Sequence, residues 1–337
     1  MIHSRALASA CVLAGLLAAT NASAQVEDFY KGKTVNIVVG FTPGGGYDVN
    51  ARTVARHMGK HIPGNPNVIV QNMPGAGSLQ SVRYLDATAP KDGTVITTFN
   101  PGLITQSIVE PERVSLDFRK LAWVGIVTAD YRVCYGFGPN GVKSWDDMMK
   151  RKEFILGSTA KGAGNYVNGA TLRLVFGAPV RQILGFPGSA EQRIAIERGE
   201  LDGDCGSFSS LPVEWVRDRK AHPFVRFTEK VPPEIPDSAV FINTFAKTDE
   251  QKQILTVLNA ADELGRPYIT SRQVPAERLA ILRKAFNDTM KDPAFLVDME
   301  KQQLPVNPAT GEESEVSVAK MSNVPAAVAA KAKAIYE

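Results

Sequence analysis

The 337-residue chain has little cysteine and little histidine, three of one and four of the other. It contains no CxxC pair and no Cys/His cluster, which speaks against a structural metal site. It has no block of one charge sign. A formal net charge of +3 without a basic face argues against a nucleic-acid surface. It has no apolar run near the ~20 residues that a membrane-spanning helix needs. Phosphate and dinucleotide signatures are missing too. There is no GxxxxGK followed by Ser or Thr, and no GxGxxG after the first strand. The absence of GxSxG removes the nucleophile turn of a secreted α/β hydrolase, the main enzymatic alternative. His57 and His61 stand four apart, but no HExxH carboxylate completes them. They read as a cationic pair near a helix C-terminus.

Met1 to Arg5 form a short n-region, Ala6 to Ala19 an apolar h-region, and Ala22-Ser23-Ala24 an Ala-x-Ala cleavage site. This is the pattern of a secretory signal peptide over residues 1–24, with cleavage before Gln25. The mature protein is therefore expected to be exported and soluble, with a net charge of about +2 once Arg5 is gone. Cys134 and Cys205 remain, both in apolar strand-like runs. Export permits a disulfide between them; two buried free thiols fit as well.

The mature chain alternates strand and helix patterns. Thr34–Val39, Val68–Val70 and Val95–Phe99 read as strands, with amphipathic helices between them. That order predicts a parallel βαβαβ sheet. A second α/β series begins near Trp123, with strands expected at 123–127, 132–137, 154–159, 180–186 and 201–208. A third region reads as mostly helical. Ser189-Ala190-Glu191-Gln192 and Thr248-Asp249-Glu250-Gln251 have the form of capping boxes.

Four glycine-bearing turns follow the strands: FTPGGGYD (41–48), MPGAGS (73–78), STAKGAGN (158–165) and GFPGSAE (185–191). Two belong to each α/β series. In open α/β sheets, ligands bind beyond the carboxyl ends of the strands. Glycine brings backbone N–H groups close to a ligand, and a helix start favours an anion there. Two facing rims of such turns describe a cleft. The candidate ligand-binding residues are Thr42, Gly45, Gly46, Tyr47, Gly75, Ala76, Gly77, Ser78 and Asn100 from the first series. The second series offers Ser158, Thr159, Lys161, Gly164, Asn165, Phe186, Pro187, Gly188 and Asp204. Asp48 fits as the N-cap of the helix after the glycine triplet.

These residues resemble the Bug/TctC-type periplasmic solute-binding receptors of tripartite tricarboxylate transporters. The shared motifs are Pro43-Gly44-Gly45-Gly46-Tyr47-Asp48 with Ala51-Arg52, Asn72-Met73-Pro74-Gly75-Ala76-Gly77, Pro90-Lys91-Asp92-Gly93, and Gly199-Glu200-Leu201-Asp202. The resemblance implies a two-lobed α/β fold of the type II, Venus-flytrap kind. Lobe 1 would hold residues 25–128 and 240–337, and lobe 2 residues 129–239. It implies a non-enzymatic periplasmic monomer with no cofactor and no nucleic-acid partner. Its ligand would be a small organic acid held by backbone amides, and its partner a membrane permease or a sensor. Tyr47 replaces the usual threonine and Phe186 a common tyrosine. Both open the site to an aromatic acid, and Lys161 could meet a second carboxylate.

Overall fold

The computed structural model describes residues 29–336; the expected signal peptide lies outside them. Twelve strands are formed in chain order: β1 (Thr34–Val39), β2 (Asn67–Asn72), β3 (Val95–Thr98), β4 (Leu121–Ile126), β5 (Val133–Phe137), β6 (Phe154–Ser158), β7 (Val180–Leu184), β8 (Gly203–Asp204), β9 (Ala221–Arg226), β10 (Val240–Phe241), β11 (Pro267–Ser271) and β12 (Ala309–Thr310). They build two six-stranded sheets, ordered β12-β4-β11-β3-β1-β2 and β10-β9-β5-β8-β6-β7. Of the runs read as strands from the sequence, β1, β3, β4, β5, β6 and β8 lie inside these sheets, while β2 and β7 form edges. β4 is buried along its whole length, which explains an apolar run without alternation.

The first sheet is parallel across β2, β1 and β3, as the βαβαβ pattern requires. It does not continue so. β11 inserts between β3 and β4, antiparallel to both. The second sheet has the matching device: β5 lies between β8 and β9, antiparallel to both. In each sheet the inserted strand is the one that has just arrived from the other sheet. The third region is mostly helical as expected, with an addition: Pro267–Ser271 is a fully buried strand. The five residues Pro267–Ser271 carry no helical period, and the tertiary slot decides their state.

Two further local readings are settled. Thr248 and Gln251 form the expected reciprocal cap. Ser189 does not cap: it is the first helical residue, and Gly188 stands at the N-cap position. At the C-terminal end, Pro325 separates the Gly311–Met321 and Ala326–Lys333 helices, as its missing N–H requires.

Cys134 and Cys205 are joined in a disulfide across a sequence separation of 71. Cys134 lies on β5 and Cys205 follows β8, in neighbouring antiparallel strands. The bridge is part of the second sheet's core, with Leu156, Phe224 and Val225. Closing a loop of that length removes denatured-state entropy worth about 4 kcal/mol at most. Replacing both cysteines with alanine should lower the unfolding free energy by roughly 2–4 kcal/mol, read as a lower denaturant midpoint in urea.

Candidate ligand-binding cleft

The carboxyl end of β1 runs into the FTPGGGYD turn and then the Gly46–Met58 helix. The three glycines have different reasons. Gly44 takes φ +81°, with open space around the site of a Cβ, so its role is conformational. Gly45 and Gly46 make room for the other half of the molecule. A Cβ on Gly45 would stand 2.8 Å from Ser189 Oγ, and one on Gly46 2.6 Å from Ser210 Oγ and 2.9 Å from Arg266 Nη2.

Asp48 is not the N-cap. That position is Gly45, and Asp48 is the third helical residue. From there its carboxylate accepts the Gly44 N–H at 2.8 Å, the Arg52 Nε–H at 2.9 Å and the Asn72 Nδ2–H at 2.9 Å. Burial alone would raise its pKa; these hydrogen bonds hold it below the usual carboxylate range. Asn72 also donates to the Phe41 carbonyl at 2.9 Å. Three separate motif residues, Asp48, Arg52 and Asn72, thus fix one turn.

The second rim is built the same way. β6 leads through residues 159–163 into the Gly164–Phe176 helix, and β7 leads into the Ser189–Glu197 helix. Neither of these helices nor Gly46–Met58 has a side-chain hydrogen bond at its N-cap. All three present first-turn N–H groups, the usual anion-binding end of a helix. A Cβ on Gly164 would overlap the Arg132 guanidinium.

The two rims are in contact. Thr42 Oγ1 donates to Glu191 Oε2 at 2.9 Å, and Arg193 Nη2 donates to the Gly44 carbonyl at 2.8 Å. Asn100 Nδ2 donates to the Gly162 carbonyl at 3.1 Å. Between the rims lies a cavity of about 60 Å³, enough for a handful of water molecules.

Behind this cavity two chain crossings lie side by side. The Arg266 N–H donates to the Thr128 carbonyl at 3.0 Å, and the Asp130 N–H to the Asp262 carbonyl at 2.7 Å. The crossings carry four buried charges. Arg132 pairs with Asp130 and with Asp262, each at 2.7 Å. Arg266 stands 3.8 Å from Asp130. Arg132 Nη2 also donates to Asn100 Oδ1 at 3.2 Å. Arg266 Nη2 donates to Ser207 and Ser209, both at 2.6 Å, and its guanidinium lies 4.1 Å from the centre of the Tyr47 ring. Burial would raise Asp130, but the two guanidiniums hold its carboxyl below the ordinary range. Burial pushes the Tyr47 hydroxyl up to about 12.

Eight of the residues expected from the sequence line the cavity: Gly45, Gly46, Tyr47, Asn100, Thr159, Gly164, Asn165 and Asp204. Gly75, Ala76, Gly77, Phe186 and Pro187 line a separate crevice, which shares only Phe41 and Thr159 with the first. Four others are structural here. Thr42 holds Glu191, and Gly188 packs against Thr42. Ser78 accepts the Asn100 N–H at 2.9 Å, and Ser158 accepts from Gln182 at 3.0 Å. Lys161 lines neither wall. The Tyr47 ring is stacked on Phe41, 4.8 Å between centroids, and is covered by Arg266. Phe186 packs against the core of the second sheet. Neither ring offers a free platform for an aromatic ligand. The sequence reading missed Asp130, Arg132, Ser189, Gln192, Ser207 and Ser210 on the cavity wall. A charged Asp-x-Arg pair beside the expected lobe boundary was the available signal.

None of the three described histidines lines the cavity. His57 bonds to Asp298 and His61 to Asp292, both at 3.1 Å. His222 meets the Gly138 carbonyl at 2.8 Å.

No family model matches the chain. A curated relative from Cupriavidus necator, the UPF0065 protein in the gbd 5' region, is 38% identical over 85 residues, 25% of each chain. A second, from Pseudomonas sp. strain P51, is 35% identical over 103 residues, 30% of each. The chain thus matches less than a third of the length of these relatives. Solved structures cover far more. The periplasmic binding protein BugD superposes with a TM-score of 0.73 at 20% identity, over 87% of this chain and 95% of its own. A Rhodopseudomonas palustris protein solved with adipate gives 0.71 at 16%, over 89% and 97%. MatC from the same organism, with bound malate, gives 0.69 at 16%, over 87% and 98%. The chain has the two-lobed fold of the Bug/TctC-type periplasmic binding proteins.

Asp204 is buried on the cavity wall, and burial pushes its pKa up to about 7. A carboxyl raised above its unfolded value of ~3.9 keeps its proton in the fold between those two pH values. Its contribution to stability therefore falls as pH rises from about 4 to about 7. Asp204→Asn should raise the melting temperature at pH 8 by several degrees, and the gain over wild type should shrink toward pH 4, measured by calorimetry without ligand.

Proposed function

We propose that this chain is an extracytoplasmic solute-binding protein. It captures a small carboxylate-bearing metabolite in the interlobe cleft and presents it, lobes closed, to a membrane transporter of the tripartite tricarboxylate type. It works in the periplasm and binds its ligand without turning it over. One observation carries the reading: hydrogen-bond donors from both lobes converge on one cavity. Three helix starts without side-chain caps border it. Tyr47 Oη, Thr159 Oγ1 and Gln192 Nε2 also have no hydrogen-bond partner in the protein, which is uncommon for buried polar atoms. A carboxylate, with four lone-pair sites, suits such a set. The adipate and malate held by two proteins of the same fold support the ligand class.

Each helix-start contact contributes about 0.3–1 kcal/mol, or up to ~2 when partly buried. Micromolar binding needs about 8 kcal/mol, so several donors from both rims must act together. That requirement ties affinity to closure, and the closed form is what a membrane partner would read.

The test is a thermal-shift panel of small mono-, di- and tricarboxylates on the exported protein. A ligand at 100 times its Kd should add about 2.7 kcal/mol to stability. Gly46→Val should place its side chain against Ser210 and Arg266, prevent full closure, and weaken the ligand at least tenfold while the protein stays folded. Unchanged affinity in that variant would contradict the closed-cleft mechanism.

A further inference from the structure

The described chain passes between the two sheets a third time. The Gly311–Met321 helix lies on β4 of the first sheet, with Val318 in the core beside Trp123 and Ile126. After Pro325, the Ala326–Lys333 helix lies on the Asp249–Asn259 helix, whose Leu255 packs with Phe224 and Phe227 in the core of the second sheet. The passage spans a gap rather than filling it: Asn323, Val324 and Pro325 line a cavity of about 680 Å³.

The segment then packs on both halves at once. Ala332, Ile335 and Tyr336 share one buried cluster with Val109 of the Gly102–Val109 helix and with Tyr166, Val167 and Ala170 of the Gly164–Phe176 helix. Those two helices begin at different walls of the ligand cavity. One follows Asn100, and the other opens with Gly164 and Asn165. Tyr336 is 1% exposed. Burial, then the charges of Glu110 and Asp262, push its hydroxyl above the ordinary tyrosine range, and Arg132 pulls it back. Its ring therefore stands beside the hinge charges. Lys333 pairs with Glu112 at 3.0 Å and Lys331 with Glu250 at 3.2 Å, one on each side. Exposed pairs of this kind are worth little; burial of apolar surface carries the contact.

We propose that residues 322–336 are a strap that biases the empty protein toward its closed form, with Tyr336 as the anchor. This rests on the two-lobed closure of the reading above. Opening moves the Gly102–Val109 and Gly164–Phe176 helices apart, and Tyr336 cannot stay packed on both. A contact made only in the closed form shifts the population toward closure without touching the ligand. A larger closed fraction tightens the binding of whatever solute that form holds.

The experiment uses no ligand. Asn165, 9% exposed on the cavity wall, is replaced by cysteine in the exported protein. The rate of its reaction with N-ethylmaleimide reads how often the cleft opens; Cys134 and Cys205 are already joined. On that background Tyr336→Ala should speed labelling by about tenfold or more. Tyr336→Phe, which keeps the ring, should stay within about twofold of the parent. Met299→Ala, in a different core cluster, should lower the melting temperature without speeding the label. Lys331→Glu combined with Lys333→Glu, at exposed positions, should speed labelling at low salt, and decides the matter if Tyr336→Ala does not fold. Labelling unchanged in the folded strap variants, or raised equally by Met299→Ala, would overturn the strap. Either result leaves the solute-binding reading standing, since the carboxylate panel tests that by itself.

Discussion

The cleft depends on the buried charges at the two chain crossings. Arg132 and Arg266 are held out of water, together with Asp130 and Asp262, where the two crossings touch. Removing such charges from solvent is expensive, and their mutual attraction offsets the cost only when the geometry is good. Here it is reinforced from both lobes: Asn100 from the first, Ser207 and Ser209 from the second. The two crossings are therefore joined by charge as well as by backbone hydrogen bonds.

The glycine turns work within that frame. Gly44 supplies a left-handed backbone angle, while Gly45, Gly46 and Gly164 supply the absence of a side chain where the opposite lobe or a guanidinium arrives. The turn is held from behind by Asp48, Arg52 and Asn72. A glycine-rich segment would otherwise lose much conformational entropy on ordering. Rigid support behind and bare backbone in front is a sound arrangement for recognising an anion with N–H groups.

Much of the fold was legible in the sequence. β1 and β2 announce themselves as apolar, β-branched runs followed by a glycine turn, and the alternation of strands with helices gives the α/β class. β11 does not announce itself, because five residues without a turn signature take their state from the slot between β3 and β4. The site was legible on its backbone side and opaque on its side-chain side. Gly45, Gly46, Gly164 and Asn165 follow from turn chemistry. Asp130 and Arg132 showed in the sequence only as a charged pair beside the expected lobe boundary; that both are buried and paired with Asp262 and Arg266 is a tertiary fact. Gly75 to Gly77 looked equivalent to Gly44 to Gly46 but open onto a neighbouring crevice, because a turn's position around the rim is a tertiary fact. Asp48 was placed three positions too early in the helix: a glycine can hold the N-cap and leave the aspartate to reach back from inside the helix.

The inserted strands have a consequence for the order of assembly. β3 and β4 are not bonded to each other; β11 joins them, and it ends at Ser271 of a 337-residue chain. Until that segment is available, the first sheet is two fragments with open edges, whatever the middle of the chain has done. A polypeptide emerging from its N-terminus would stay unfinished until most of its length was out.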